Sequence, residues 1–222
     1  MENIVKDKKL LITGGPDGIA QVLMRHALEQ GIKEIRVFDE DEAHLVAVRE
    51  ELLTERPDAA ATVKFHCVDV CDSESVDDSM PGIDLVVFIP SVKLVSDSES
   101  HPANACKMLI STVNNIMASS IKHGVQKIIV LSPSHTEPLV ETSSMLAVLL
   151  EKVVIAQGNA LLKNKNTTIV CARMEEKSDV FGLVDYAFNE AQNGELVLKQ
   201  NGTFVKIPCQ NPAFERDDLS NL

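Results

Sequence analysis

Hydrophobic residues cluster into short β-branched runs at 9–13, 34–38, 63–67, 85–88, 127–131 and 168–171. Between them lie longer segments with apolar positions at helical spacing, over 18–30, 41–55, 102–122 and 142–162. In the third of these, Ala105, Leu109, Thr112 and Ile116 recur along one helical face, and Pro102 falls in the first turn, where a missing N–H costs nothing. Strand and helix alternate, and the strands are apolar on both faces. That pattern predicts an α/β fold, a doubly wound parallel sheet with helices covering both sides. Past Arg173 the pattern weakens to one helix (181–192), a hairpin pairing 195–199 with 204–207 around Gln200-Asn201-Gly202, and an acidic end at 215–222. The expected organisation is a main domain over 1–175 with a short C-terminal extension over 176–222.

The 222 residues suffice for one such domain and a small appendage. Apolar stretches such as 145–150 and 153–156, separated by Glu151 and Lys152, fall well short of the roughly 20 residues that a membrane span needs. The charged N-terminus leads into only a few apolar residues, which argues against a secretory signal and for a cytoplasmic location. Five cysteines, Cys67, Cys71, Cys106, Cys171 and Cys209, lack a disulfide-like spacing and are expected to be reduced core thiols. Cys67 and Cys71 have no matching pair downstream, so no metal site is expected. A net charge of −12 repels a phosphate backbone, which argues against a nucleic-acid partner.

Candidate chemistry begins where the first strand runs into Thr13-Gly14-Gly15-Pro16-Asp17-Gly18-Ile19-Ala20. A glycine-rich turn opening a helix lets a diphosphate approach the backbone, and the helix supplies free amides and the positive end of its dipole. A ribose-binding acid is expected about 20 positions further on, and Asp39 and Glu40 stand there. Asp69 and Val70 follow the third strand, where an adenine edge would lie. Thr13, Gly14, Gly15, Gly18, Ile19, Asp39, Glu40, Asp69 and Val70 are therefore the candidate cofactor-binding residues. The alternative for the glycines is a plain tight turn, and for the acids helix capping or solvated strand ends.

On these residues, together with Val92-Lys93, the 127–132 run and Glu151-Lys152, the chain resembles the extended short-chain dehydrogenase/reductases. Within them it resembles the inverting UDP-N-acetylglucosamine 4,6-dehydratases of the polysaccharide biosynthesis family. The resemblance implies a Rossmann-like NAD(P)-binding domain over 1–175, a shortened remnant of a substrate lobe over 176–222, and ancestry among enzymes acting on nucleotide sugars. It also implies that Lys93 lies near a sugar site, and that 102–122 and 142–162 form a homodimer seam. The second of these helices is apolar over more than one stripe, so the seam competes with burial beneath the C-terminal segment.

The departures from the family pattern bear on activity. The family turn T-G-x-x-G-x-x-G has Asp17 at its second glycine and Ala20 at its third. A carboxylate beside a diphosphate costs on the order of 1 kcal/mol when well solvated and more when not. Asp39-Glu40 would repel a 2′-phosphate, which favours NAD over NADP. The family's Y-x-x-x-K pair, a proton donor with a lysine that lowers its pKa, maps onto Ser143 and Ala147. The single tyrosine of the chain, Tyr186, has Glu190 four residues on. The family's Asp-Lys after the fifth strand maps onto Ser134 and His135, and of its R-Y-G-N segment only Arg173 remains.

These residues predict a catalytically inactive member of the family that binds a dinucleotide or nucleotide sugar, or dimerises. One alternative is an active nucleotide-sugar dehydratase or epimerase whose unusual site is drawn from Ser132, Ser134 and His135. Another is an interaction protein that no longer binds nucleotide.

Overall fold

A computed structural model describes residues 4–13, 18–90, 98–134, 141–161, 166–175 and 179–208. Strands β1 (Lys9–Thr13), β2 (Glu34–Asp39), β3 (Val63–Cys67), β4 (Leu85–Phe88), β5 (Lys127–Pro133), β6 (Thr168–Met174), β7 (Glu195–Gln200) and β8 (Thr203–Pro208) form one sheet in the order β3-β2-β1-β4-β5-β6-β7-β8. Neighbouring strands from β3 through β7 are parallel, and β8 is antiparallel to β7. The helices are α1 (Gly18–Glu29), α2 (Glu42–Glu55), α3 (Ser73–Ser79), α4 (Pro102–Lys122), α5 (Thr142–Ala160) and α6 (Val180–Glu190), with a 3-10 turn at Pro57–Ala61.

Alternating side chains on each strand feed two apolar layers. Leu10 and Ile12 face α1, α2 and α6, packing with Leu23, Met24, Leu45, Val48, Leu183 and Phe188. Leu11 and Phe38 face the other side, with Val76 of α3, Leu109 and Val113 of α4, and Leu150 and Val154 of α5. A parallel strand needs apolar residues on both faces because helices cover both, and β4 (Leu85, Val86, Val87, Phe88) is buried throughout. Each such side chain contributes about 1.5–3 kcal/mol on burial.

The predicted α/β sheet is present, with β5 and β6 extended to Pro133 and Met174. The hairpin forms as expected. Asn201 and Gly202 take φ of 51° and 79°, the left-handed pair of a type I′ turn that matches strand twist. The described part of the C-terminal segment, 179–208, contributes α6, β7 and β8 to the same sheet. Helix α3 was not visible in the pattern, since its Ser-Glu-Ser-Val-Asp-Asp-Ser carries one apolar residue. Asp72 starts it, accepting from the Glu74 and Ser75 amides. The expectation of core thiols fails at Cys67 and Cys71, which are exposed: β3 is an edge strand, and its end opens to solvent. Cys171 is buried, Cys106 half-buried, and Cys209 lies outside the described residues. Among the described residues no helix is long and apolar enough to cross a membrane.

Candidate functional site

Because β1 to β6 run parallel, their carboxyl ends share one edge of the sheet. There Thr13, Asp39, Cys67, Phe88, Pro133 and Met174 end their strands. The connection reverses direction between β1 and β4, and ligands of open α/β sheets bind outside the carboxyl ends at such a switch point.

At the switch point Thr13 is 1% exposed, and its Oγ1 is buried without a hydrogen-bond partner. A buried hydroxyl left unpaired costs about 1–3 kcal/mol unless something accepts or donates there. Gly14 and Gly15, together with Asp17, lie outside the described residues. Gly18 opens α1, and a Cβ built on it would meet nothing within 4 Å, so packing does not require glycine there and the space beside it is open. Ile19 is buried in the layer beneath.

At the end of β2, the Asp39 side chain is 12% exposed. Its Oδ1 accepts from the Asp41 amide at 2.8 Å, and its Oδ2 lies 3.5 Å from His44 Nδ1. The cap of α2 is Asp41, which accepts from the His44 amide at 3.1 Å. Asp39 thus braces the loop ahead of that helix. Glu40 is exposed. Asp69, also exposed, is tied into a local turn, its Oδ1 accepting from the Cys71 amide at 2.8 Å. Half-buried Val70 packs beside α4, and Asn115 of that helix donates from Nδ2 to the carbonyls of Val70 (3.2 Å) and Cys71 (2.9 Å). Sequence reading missed Asn115, because no local pattern ties a helix residue to a loop more than 40 positions earlier.

Over β5 and β6 the environment differs. Ser132 is fully buried, its hydroxyl donating to the Pro133 carbonyl at 3.2 Å, whereas Ser134 is exposed. His135 and Lys93 fall outside the described residues. On α5, Ser143 is half-buried and Ala147 is 3% exposed. One turn beyond Ala147 comes Glu151, also 3% exposed and joined to Arg173 by two hydrogen bonds, Nε to Oε1 at 2.7 Å and Nη2 to Oε2 at 2.6 Å. Hydrogen bonding to Glu151 holds the Arg173 guanidinium above its ordinary pKa. Each partner was legible as a landmark, but nothing in the chain showed that they meet. At the start of α5, Glu99 accepts from the Thr142 amide (2.5 Å) and hydroxyl (3.0 Å), tying the segment before α4 to the first turn of α5.

Tyr186 lies on α6 and packs with Phe204 in the layer of α1 and α2, on the opposite side of the sheet from α5. The geometry therefore offers a hydrogen-bonding rim at the sheet's carboxyl edge, with oxygens of Thr13 and Asp39 on one half and Ser134 and the Glu151–Arg173 pair on the other. The described residues are compatible with a dinucleotide there: an unpaired buried hydroxyl at Thr13, open space beside Gly18, and the braced Asp39 carboxylate at the end of β2.

Comparison with known proteins agrees with this architecture. Residues 10–176 match the family described as "Polysaccharide biosynthesis protein". A UDP-glucose 4-epimerase of Rickettsia canadensis is 31% identical over 169 residues, 74% of this chain and 47% of the relative. That of Rickettsia prowazekii is 30% identical over the same shares. The chain thus spans about half the length of these relatives. Among solved structures, Pen from Bacillus thuringiensis superposes with a TM-score of 0.78 at 19% identity, covering 92% of this chain and 71% of that one. Bordetella bronchiseptica WbmF, solved in complex with NAD+ and UDP, gives a TM-score of 0.60 at 14% identity, covering 78% of this chain and 50% of that one. The parallel sheet and its switch point thus have a lineage: the chain belongs to the polysaccharide biosynthesis protein family and is related to nucleotide-sugar epimerases and dehydratases.

Proposed function

We propose that this protein is a cytoplasmic, catalytically inactive member of its family that binds NAD in preference to NADP over the carboxyl edge of the sheet. The observation that carries the reading is the location of the chain's one phenol. Tyr186 sits in the α6 layer, while the α5 positions that would supply a proton donor and its lysine hold Ser143 and buried Ala147. A serine hydroxyl without an adjacent base is a poor proton donor at neutral pH. Asp39 and the amino end of α1 would hold the adenosine half of the ligand. Asp39 and Glu40 disfavour a phosphate on the ribose 2′-oxygen. When bound, NAD supplies hydride chemistry; the family's tyrosine–lysine pair, which would move a proton in step with it, is absent from the sequence.

The alternative of an active enzyme with an unusual site drawn from Ser132, Ser134 and His135 draws no support at Ser132, which is fully buried and bonded to a neighbouring carbonyl. Homodimerisation through α4 and α5 forms part of the proposal. It is supported by Met108 and Met145, 40% and 50% exposed on these two helices. A melting scan against NAD, NADP, ADP-ribose and UDP-sugars tests the binding. NAD should raise the melting temperature saturably and more than NADP, because a ligand selective for the folded state stabilises it by mass action. No shift with any nucleotide would refute it and leave the interaction-protein reading.

A further inference from the structure

The pair formed by Glu151 and Arg173 has no part in the binding just described, and its position gives it one. Ser132 and Arg173 are register partners in the β5–β6 ladder. Ile128 and Val130 of β5 and Ile169 and Cys171 of β6 all point into the α4–α5 layer, so strand alternation turns Ser132 and Arg173 to that same side. Glu151 reaches down from α5 to meet Arg173 there. The Arg173 side chain remains 25% exposed against 4% for Glu151, and its Nη1 makes no hydrogen bond among the described residues. A guanidinium held on two nitrogens by a buried carboxylate thus has its third nitrogen without a hydrogen bond among the described residues, on a side chain one residue from the end of β6.

A ligand lying across the switch point with its adenosine over β1 and β2 places its second half over β4, β5 and β6. We propose that Arg173, positioned by Glu151, anchors that second half through its sugar hydroxyls. This rests on the nucleotide-binding reading above. The chemistry selects a hydroxyl group over a phosphate. Two charge-assisted bonds to Glu151 leave the pair close to neutral, so little attraction remains for an anion, while the Nη1 hydrogens can still donate to a hydroxyl oxygen. Because the guanidinium is fixed by Glu151, little side-chain entropy is lost when a sugar meets it.

Titration calorimetry with ADP and ADP-ribose, which share the adenosine diphosphate and differ by the second sugar, tests the proposal. Replacing Arg173 alone would strand a buried carboxylate and endanger folding. The variants are therefore the double Glu151→Gln/Arg173→Gln, which keeps an uncharged hydrogen-bonding pair, and the milder Arg173→Lys. Wild type should bind ADP-ribose more tightly than ADP. Both variants should lose about tenfold on ADP-ribose, the value of one good hydrogen bond, and keep their affinity for ADP. Equal losses on both ligands, or none on either, would overturn the role of Arg173. A wild-type protein that binds neither ligand would overturn the nucleotide reading and this inference with it.

Discussion

Lys127 lies at the amino end of β5, its ammonium buried and donating from Nζ to the carbonyls of Phe188 (2.8 Å) and Ala191 (2.6 Å) at the carboxyl end of α6. Burial lowers its pKa to about 8, against the raising influence of Glu195. In the unfolded chain the same amine titrates near 10.4. Between pH 8 and 10.4 the unfolded state therefore holds more protons, and stability contributed by this group rises with pH across that window. The gap corresponds to roughly 3 kcal/mol, which the charged amine withholds at neutral pH and returns when it is neutral. Lys127→Met removes the titration. It also removes two hydrogen bonds, each worth about 1 kcal/mol, so at pH 7 the variant should be destabilised by only about 0–2 kcal/mol. By pH 10.5 the deficit relative to wild type should grow by about 3 kcal/mol. Urea denaturation of both proteins from pH 7 to 10.5 measures this, and taking the difference cancels the other titrating groups. Parallel pH profiles would refute the assignment of a strained ammonium at this site.

Other outcomes follow from local geometry. A Cβ on Gly158 of α5 would collide with the backbone of Gly194, so Gly158→Ala should cost about 1–3 kcal/mol in a thermal melt, more than an alanine in a helix ordinarily contributes. Asp72→Ala removes both amide bonds at the start of α3 and should cost about 1 kcal/mol. Asn115→Ala frees the Val70 and Cys71 carbonyls and should speed amide exchange across 69–72, leaving the β1–β2 core protected. Met145→Glu should convert a dimer to monomer in light scattering if α4 and α5 form the seam, and should leave the mass unchanged if they do not.

The fold was legible because buried parallel strands write themselves as apolar runs, as β4 does throughout, and β1, β3 and β4 fall on the residues the pattern predicts. The hairpin could be read from Asn201-Gly202, since few other pairs tolerate two left-handed residues. Helix α3 escaped because its stability comes from a cap and one buried valine, Val76, and not from a stripe. The same contrast holds at the site. Thr13 and Asp39 were legible from their place at the ends of strands, whereas the partners that fix Val70 and Arg173 are Asn115 and Glu151, far from them in the chain. Those contacts exist only once the sheet has set its register, and a single sequence carries no record of them.

Catalytic inactivity, as proposed, means a fold of nucleotide-sugar enzymes kept without the tyrosine that moves protons. The most direct test is mass-spectrometric product analysis of the purified protein incubated with saturating NAD and UDP-sugars. An inactive protein returns the sugars unchanged. An epimerised or 4-keto product that disappears in a Ser132→Ala or His135→Ala variant would contradict it.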